Sequence, residues 1–263
     1  MTGPDLTRLA HLRTNPWLWT PEGAGAGAGR VRLLCLPFAG GGAGVFIPWA
    51  KALSPEIEVW AVRLPGRESR WQEPPVTSVA AIASMLATTL APCLADAPFA
   101  VFGYSVGSLI AFEFLRELRR RGLPLPSLFI AGGRGSPQTP LRGALLHALS
   151  DGQFVDAMVH RYQGIPRVIL EDPELLSLYL PPLRADMTAN ETYRYVEEAP
   201  LGIPIVAMGG LDDHTVVFED LTAWRVQTDV TFELEMFPGG HFFLQQQREQ
   251  LLAALRRRLI EMR

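Results

Sequence analysis

Six short runs constrain the fold most tightly: VRLLCLP, EIEVWAVRLP, PFAVFGY, PSLFIAGG, IPIVAMGG and VTFELEMFPGG. Each is rich in β-branched and aromatic residues and is punctuated by proline or glycine, which reads as a strand, and several are separated by stretches with helical apolar spacing. Strands and helices in alternation bury their apolar faces together as a mostly parallel sheet with helices on both sides, an α/β architecture. The chain has 263 residues and is 48% hydrophobic, enough for a large core, so a single domain over residues 1–263 is expected. Ahead of the first run lie an N-terminal arm over 1–29, whose Trp17 and Trp19 are expected to dock it, and the Gly/Ala segment EGAGAGAGR, a flexible loop.

The stretch VFGYSVGSL sets Ser105 between Gly103 and Gly107, directly after one strand and directly before the helical pattern VGSLIAFEFLRELRRRG. A strand-to-helix turn this tight leaves no room for side chains two residues either side of the serine. The G-x-S-x-G pattern in that context is a nucleophile elbow.

A serine hydroxyl is a weak nucleophile at neutral pH and needs a base, usually histidine, that is itself oriented by a carboxylate. His11 lies in the arm, and His147 and His160 fall on helical surface patterns where solvated side chains are expected. His241 follows the last strand on a glycine-rich loop, at the end of the sheet where catalytic groups collect. The loop after IPIVAMGG offers Asp212 and Asp213, one of which is expected to orient His241. The order Ser105, Asp, His241 is the order of the α/β-hydrolases. An oxyanion hole then combines the backbone N–H of Val106 with one from the loop LCLPFAGGGAGVF after the first strand. That loop is no phosphate-binding P-loop, because no G-K-[ST] follows it.

Between the fourth and fifth of the six runs the alternation breaks. Residues from about 140 to 195 form a helical lid insertion, with LRGALLHALSDGQFVDAMVHRYQG and DPELLSLYLPPLRADMTANETYRYV as helical pieces and Pro166, Pro173, Pro181 and Pro182 as their punctuation.

Composition narrows the partners. Lys and Arg number 24 against 27 Asp and Glu, a formal net charge of −3, which argues against nucleic acid or an anionic membrane as principal partner. Cys35 and Cys93 fit neither a disulfide framework nor a zinc motif, and Cys35 reads as core packing. The N-terminus lacks a continuous apolar signal core and no run is long enough to span a bilayer, so the expected location is the cytoplasm.

On the motifs LPFAGGGAGVFIPW, RLPGRE at 63–68, GYSVG, PPLRADMTANETYRY, GGLDDHTV and WRVQTDVTFELEMFPGGHFFL, the chain resembles the type II thioesterases of polyketide and nonribosomal peptide biosynthesis, a branch of the α/β-hydrolases, over nearly its whole length. The family's Gly-x-x-Asp falls on Gly210 to Asp213, so the resemblance selects Asp213 over Asp212. It also places the second oxyanion amide at Ala39. His214 stands where members often carry proline, and Phe38 where they usually carry histidine or tyrosine. The implied activity is trans editing, the hydrolysis of misprimed or stalled acyl groups from the phosphopantetheine arm of acyl and peptidyl carrier proteins. A monomer is expected, with no metal and no cofactor of its own.

Two other classes use the same residues: a carboxylesterase or lipase acting on oxygen esters, or a dedicated chain-releasing thioesterase, and a carrier-protein binding module without catalysis. Loose acyl choice is expected, because a hydrophobic chamber discriminates one methylene only weakly and the sequence offers no evident polar contact for the acyl group. Arg63, Arg67 and Arg70 form a candidate docking cluster for acidic carriers.

Overall fold

The computed structural model describes residues 14–25, 31–94, 97–162 and 164–261. Its sheet has the strand order β1-β3-β2-β4-β5-β6-β7. The strands are β1 (Leu18–Trp19), β2 (Val31–Leu36), β3 (Ile57–Val62), β4 (Phe99–Tyr104), β5 (Leu128–Gly132), β6 (Ile205–Gly210) and β7 (Phe232–Phe237). All pairs are parallel except β1 with β3, which is antiparallel. Strands β2 to β6 are buried along their whole length, which is why they read as apolar runs without alternation.

Helices cover both faces. α1 (Ile47–Leu53) and α9 (Arg248–Ile260) pack on one face, around Trp49, Phe102 and Leu255. α2 (Val79–Leu94) and α3 (Val106–Arg120) pack on the other, around Leu86, Leu109 and Phe129. Two short helices, α7 (Phe218–Thr222) and α8 (Phe243–Gln246), follow β6 and β7 respectively. Cys35 and Cys93 are both buried and are not joined in a disulfide. Among the described residues, no helix is long and apolar enough to cross a membrane.

The chain runs from β2 to β3 on one side, then returns to place β4 on the other side of β2. Strand order therefore reverses between β2 and β4, and the crevice at the C-terminal ends of such a pair is where open α/β sheets hold ligands. The loops carrying Ala39 and Ser105 leave those two neighbouring strands.

The arm departs from expectation in one respect. Leu18 and Trp19 form the edge strand β1, and Trp17 is buried with the Arg70 guanidinium 3.9 Å above its ring centroid. Residues 1–13 and 26–30, most of the expected arm and Gly/Ala loop, lie outside the described residues; Gly25, at the start of that loop, donates its N–H to Glu58.

Between β5 and β6 stand α4 (Asp151–Tyr162), α5 (Arg167–Leu170) and α6 (Pro173–Thr192), around their own cluster of Leu146, Phe154, Met158, Ile165, Leu183 and Met187. Two details differ from the helical spacing. Residues 141–150 are not helical, because Glu191 accepts hydrogen bonds from the backbone N–H groups of Leu146 and His147 and pairs with the His147 ring at 2.6 Å, holding the segment as an irregular loop. His147 is thus a partnered, half-buried residue and not a solvated one. Pro181 and Pro182 lie inside α6 and do not end it. Proline removes a ladder hydrogen bond, but beyond the pair α6 is fixed by tertiary contacts of Leu183, Asp186 and Met187.

Candidate active site

Ser105 has φ 53° and ψ −123°, a conformation that costs a non-glycine residue roughly 1–3 kcal/mol. The neighbouring glycines make it attainable. A Cβ on Gly103 would stand 2.5 Å from the Gly107 carbonyl oxygen, and one on Gly107 would stand 2.4 Å from the carbonyl oxygens of Leu36 and Pro37. Strand β4, helix α3 and the end of β2 therefore meet at backbone-to-backbone distance. The turn is sealed by Ser105 N–H donating to the Gly132 carbonyl at 2.8 Å, and by the buried Ser108 hydroxyl, 2.8 Å from Gly103 O and 2.9 Å from Gly132 O. Ser108 was not singled out from sequence, although a polar residue on the buried side of α3 is the signal that marks it.

Loops after β4, β6 and β7 bring Ser105, Asp213 and His241 together. His241 Nε2 lies 3.1 Å from Ser105 Oγ, and His241 Nδ1 lies 2.8 Å from Asp213 Oδ2. With Nδ1 donating to the carboxylate, Nε2 is left as an acceptor for the serine proton. The other carboxylate oxygen of Asp213 accepts from the Thr215 hydroxyl at 2.7 Å, the Thr215 amide at 2.8 Å and the Val216 amide at 3.2 Å. Burial opposes the charge on Asp213, yet these bonds and the one from His241 outweigh it and hold the carboxyl below its usual range. Asp212 is exposed, and its backbone N–H donates to Gly239 O. The geometry thus separates two acids that spacing leaves equivalent. Tyr104 completes the support: its hydroxyl donates to the His241 carbonyl at 2.6 Å.

Ala39 and Val106 border, together with Ser105 and His241, a small cavity whose other walls include Phe38, Met158, Tyr162, Met187, Asn190 and Phe242. Phe38 takes no polar part; its ring packs edge-on against Tyr104 and Phe242. A larger cleft of about 710 Å³ opens on His241 from the solvent side, between the loop of Gly40 to Gly42 and the α4 end carrying His160 and Tyr162. His160 is exposed there, its Nδ1 bonded to its own helix at Asp156 O, and His214 is exposed on the loop after β6.

The loop carrying Ala39 is clamped by residues distant in sequence. Arg67 bridges Asp186 of α6 with bonds of 2.7 and 2.8 Å and donates to Gly41 O at 2.8 Å, while Asp186 accepts from Gly40 N–H at 2.8 Å. Glu68 accepts from the amides of Ala43 and Gly44. This corrects the docking cluster expected at Arg63, Arg67 and Arg70. Arg67 and Arg70 are buried, Arg70 on Glu73, the Arg63 carbonyl and Trp17, so neither guanidinium faces a partner.

Comparison with known proteins places these features in context. A family model described as a thioesterase domain matches residues 31–259. The gramicidin S biosynthesis protein GrsT of Aneurinibacillus migulanus is 39% identical over 222 residues, 84% of this chain and 86% of that protein. The solved structure of BorB, the type II thioesterase from the borrelidin biosynthetic cluster, superposes with a TM-score of 0.83 at 35% identity, covering 92% of this chain and 97% of that one. RedJ, the thioesterase of the prodiginine pathway in Streptomyces coelicolor, gives 0.81 at 34% identity, over 87% and 90% of the two chains.

Proposed function

The chain belongs to the thioesterase family, with type II thioesterases of nonribosomal peptide and polyketide pathways among its relatives, and from that premise we propose that it hydrolyses acyl thioesters carried on the phosphopantetheine arm of acyl or peptidyl carrier proteins, acting in trans as an editing enzyme. The observation that carries the reading is the hydrogen-bonded series Asp213, His241, Ser105 on a strained elbow.

In this reading Ser105 Oγ attacks the thioester carbonyl as His241 Nε2 takes its proton. The carbonyl oxygen gains charge where the N–H groups of Ala39 and Val106 receive it, and removal of one such donor typically costs 10²- to 10³-fold in rate. Collapse breaks the C–S bond, and the proton on His241 goes to the departing thiolate. A thiol with a reference pKa of about 8.5 is a good leaving group, so stabilising the oxyanion matters more here than proton donation. Water then attacks the acyl-serine, losing its proton to His241, and the carboxylic acid leaves as Ser105 regains its proton. Asp213 stays ionised throughout and stabilises the imidazolium. The chemistry needs no cofactor of the enzyme's own, because the phosphopantetheine arrives on the substrate. The arm is expected to enter by the cleft of about 710 Å³ that opens on His241.

The test compares kcat/KM for one acyl group on a carrier protein, on N-acetylcysteamine and as an oxygen ester. The carrier thioester is expected to be turned over most efficiently. Equal turnover of the small thioester overturns the carrier-directed reading, and preference for the oxygen ester points to a carboxylesterase.

A further inference from the structure

Two cavities flank Ser105, and their walls differ in kind. One is the apolar cavity beside Ala39 and Val106. The other is lined by Arg134, Arg142 and Arg161 against a single acidic side chain, Asp220; Tyr162, Asn190 and His241 border both. Asp220 is already engaged, with both carboxylate oxygens on Arg142.

Arg134 is the unexplained member. It follows β5 in the segment AGGRGSP and is 7% exposed. Its Nε has no hydrogen-bond partner, its Nη1 makes only a 3.5 Å contact with Gly135 O, and among the described residues no carboxylate forms an ion pair with it. Burial pulls the guanidinium down to about 10, against the weaker pull of Tyr162, Tyr193 and Asp220, so it remains charged at neutral pH. Asn190 of α6, 9% exposed on the wall of the same cavity, has an unpartnered Oδ1. Buried charges and amides are ordinarily paired within the protein. An unpaired guanidinium donor bordering the cavity that holds Ser105 marks a place where an anionic ligand supplies the partner.

We infer that the arginine-walled cavity is a subsite for the far end of a short acyl group bearing a second carboxylate, held by Arg134 and Asn190. The inference rests on the proposed acyl transfer at Ser105. The planar guanidinium fork matches a carboxylate, and an amide of this kind can turn its NH₂ toward the same oxygens. The cavity is about 30 Å³, the same as its apolar neighbour, and it is the arginine wall rather than the size that suits a carboxyl terminus over an alkyl tail. The phosphate of the carrier arm is a poor candidate, because it sits at the opposite end of the arm from the thioester and cannot lie beside Ser105 while the acyl group does. Arg134 is also the polar contact that the sequence did not reveal when loose acyl choice was expected. A site built around unpaired buried polar groups discriminates against analogues lacking the complementary group far more sharply than an apolar pocket discriminates a methylene.

The experiment measures kcat/KM for succinyl, malonyl, butyryl and propionyl groups on one carrier protein, with wild type, Arg134→Met, Arg134→Lys and Ser105→Ala. Wild type is expected to favour succinyl over butyryl, or malonyl over propionyl. Arg134→Met is expected to lower that ratio on the order of 10²-fold, with Arg134→Lys intermediate. A ratio unchanged by Arg134→Met overturns the subsite, as does a wild-type preference for the uncharged acyl groups. If Arg134→Met does not fold, calorimetry on the Ser105→Ala protein with free succinate and free butyrate replaces it: selective succinate binding supports the subsite, and equal or absent binding overturns it. Lack of Ser105-dependent turnover of all four acyl groups overturns the thioesterase reading itself, whereas Ser105-dependent butyryl turnover with an unaltered ratio overturns the subsite alone.

Discussion

The rim of the sheet and the insertion above it reach order by opposite means. At the rim, backbones are forced together: Gly103 and Gly107 leave no space for a Cβ, and the parallel ladder aligns Leu36 with Gly103 and Tyr104 with Gly132. In the insertion, a few buried carboxylates do the fixing, Glu191 on Leu146 and His147, and Asp186 on Arg67 and Gly40. Steric constraint at the rim is local and recurs wherever a strand turns sharply into a helix. The polar clamps of the insertion join residues far apart in the chain, 45 positions between Leu146 and Glu191 and 119 between Arg67 and Asp186. The two regions are therefore expected to respond differently to substitution, the rim losing chemistry at constant stability and the insertion losing stability together with chemistry.

The largest effect is expected at the rim. Ser105→Ala removes the nucleophile without adding volume and is expected to lower kcat by about 10⁴- to 10⁶-fold with an unchanged Tm. Asp213→Asn comes next, at up to about 10⁴-fold, because the imidazole loses its tautomer control. Asp212→Asn, an exposed neighbour, is expected to stay within about threefold. Steady-state kinetics beside thermal melts separate these cases, and equal losses at the two acids would break the assignment of Asp213.

In the insertion, Asp186→Asn leaves the Arg67 charge buried without its partner and is expected to cost roughly 3–5 kcal/mol. The single remaining side-chain oxygen cannot serve Gly40 N–H and both Arg67 nitrogens, so the Ala39 loop loosens and kcat is expected to fall more than KM rises. Denaturant unfolding and kinetics on one preparation read both. A loss of kcat with no loss of stability would erase the contrast between the regions.

How much of this was legible in the sequence follows the same division. The six sheet runs appear as β2 to β7 because buried parallel strands are apolar throughout and end at glycine or proline. Ser105, His241 and the pair Asp212 and Asp213 were legible from their places after strands, but choosing Asp213 needed either the family resemblance or the geometry. Thr215 was missed, although an aspartate after a strand commonly accepts the backbone N–H two residues on and so marks that position. The helical reading of 141–150 failed because periodicity cannot report that Glu191, over forty residues later, would take its backbone amides. Arg67 and Arg70 were misread as a docking face because burial cannot be seen from spacing: Arg67 is taken by the distant Asp186, and Arg70 is held by nearby Glu73 and covered by Trp17. Arg134 stood in a glycine-rich loop with nothing in its neighbourhood to show that it would be buried.

The smallest effect concerns the segment returning from the insertion to β6. Glu198 is desolvated in part, but hydrogen bonds from Arg120, Arg116 and Arg119 outweigh this and hold its carboxyl at about 2. Its folded pKa lies below the ordinary glutamate value of about 4.3. Its stabilising contribution is therefore complete above that value and is lost as pH falls toward 2. Glu198→Gln is expected to lower Tm by a few degrees at pH 7, with the difference from wild type vanishing near pH 2. A difference that persists at low pH would mean that packing, not charge, joins this segment to α3.

Covalent capture at Ser105 tests the central claim most directly. The protein is mixed with a butyryl-loaded carrier, quenched in acid within milliseconds, digested and read by mass spectrometry. A butyryl adduct on the peptide containing Ser105, formed and lost at rates matching turnover and absent from Ser105→Ala, is the predicted result. Turnover with no adduct at Ser105, or undiminished hydrolysis by Ser105→Ala, would contradict the account.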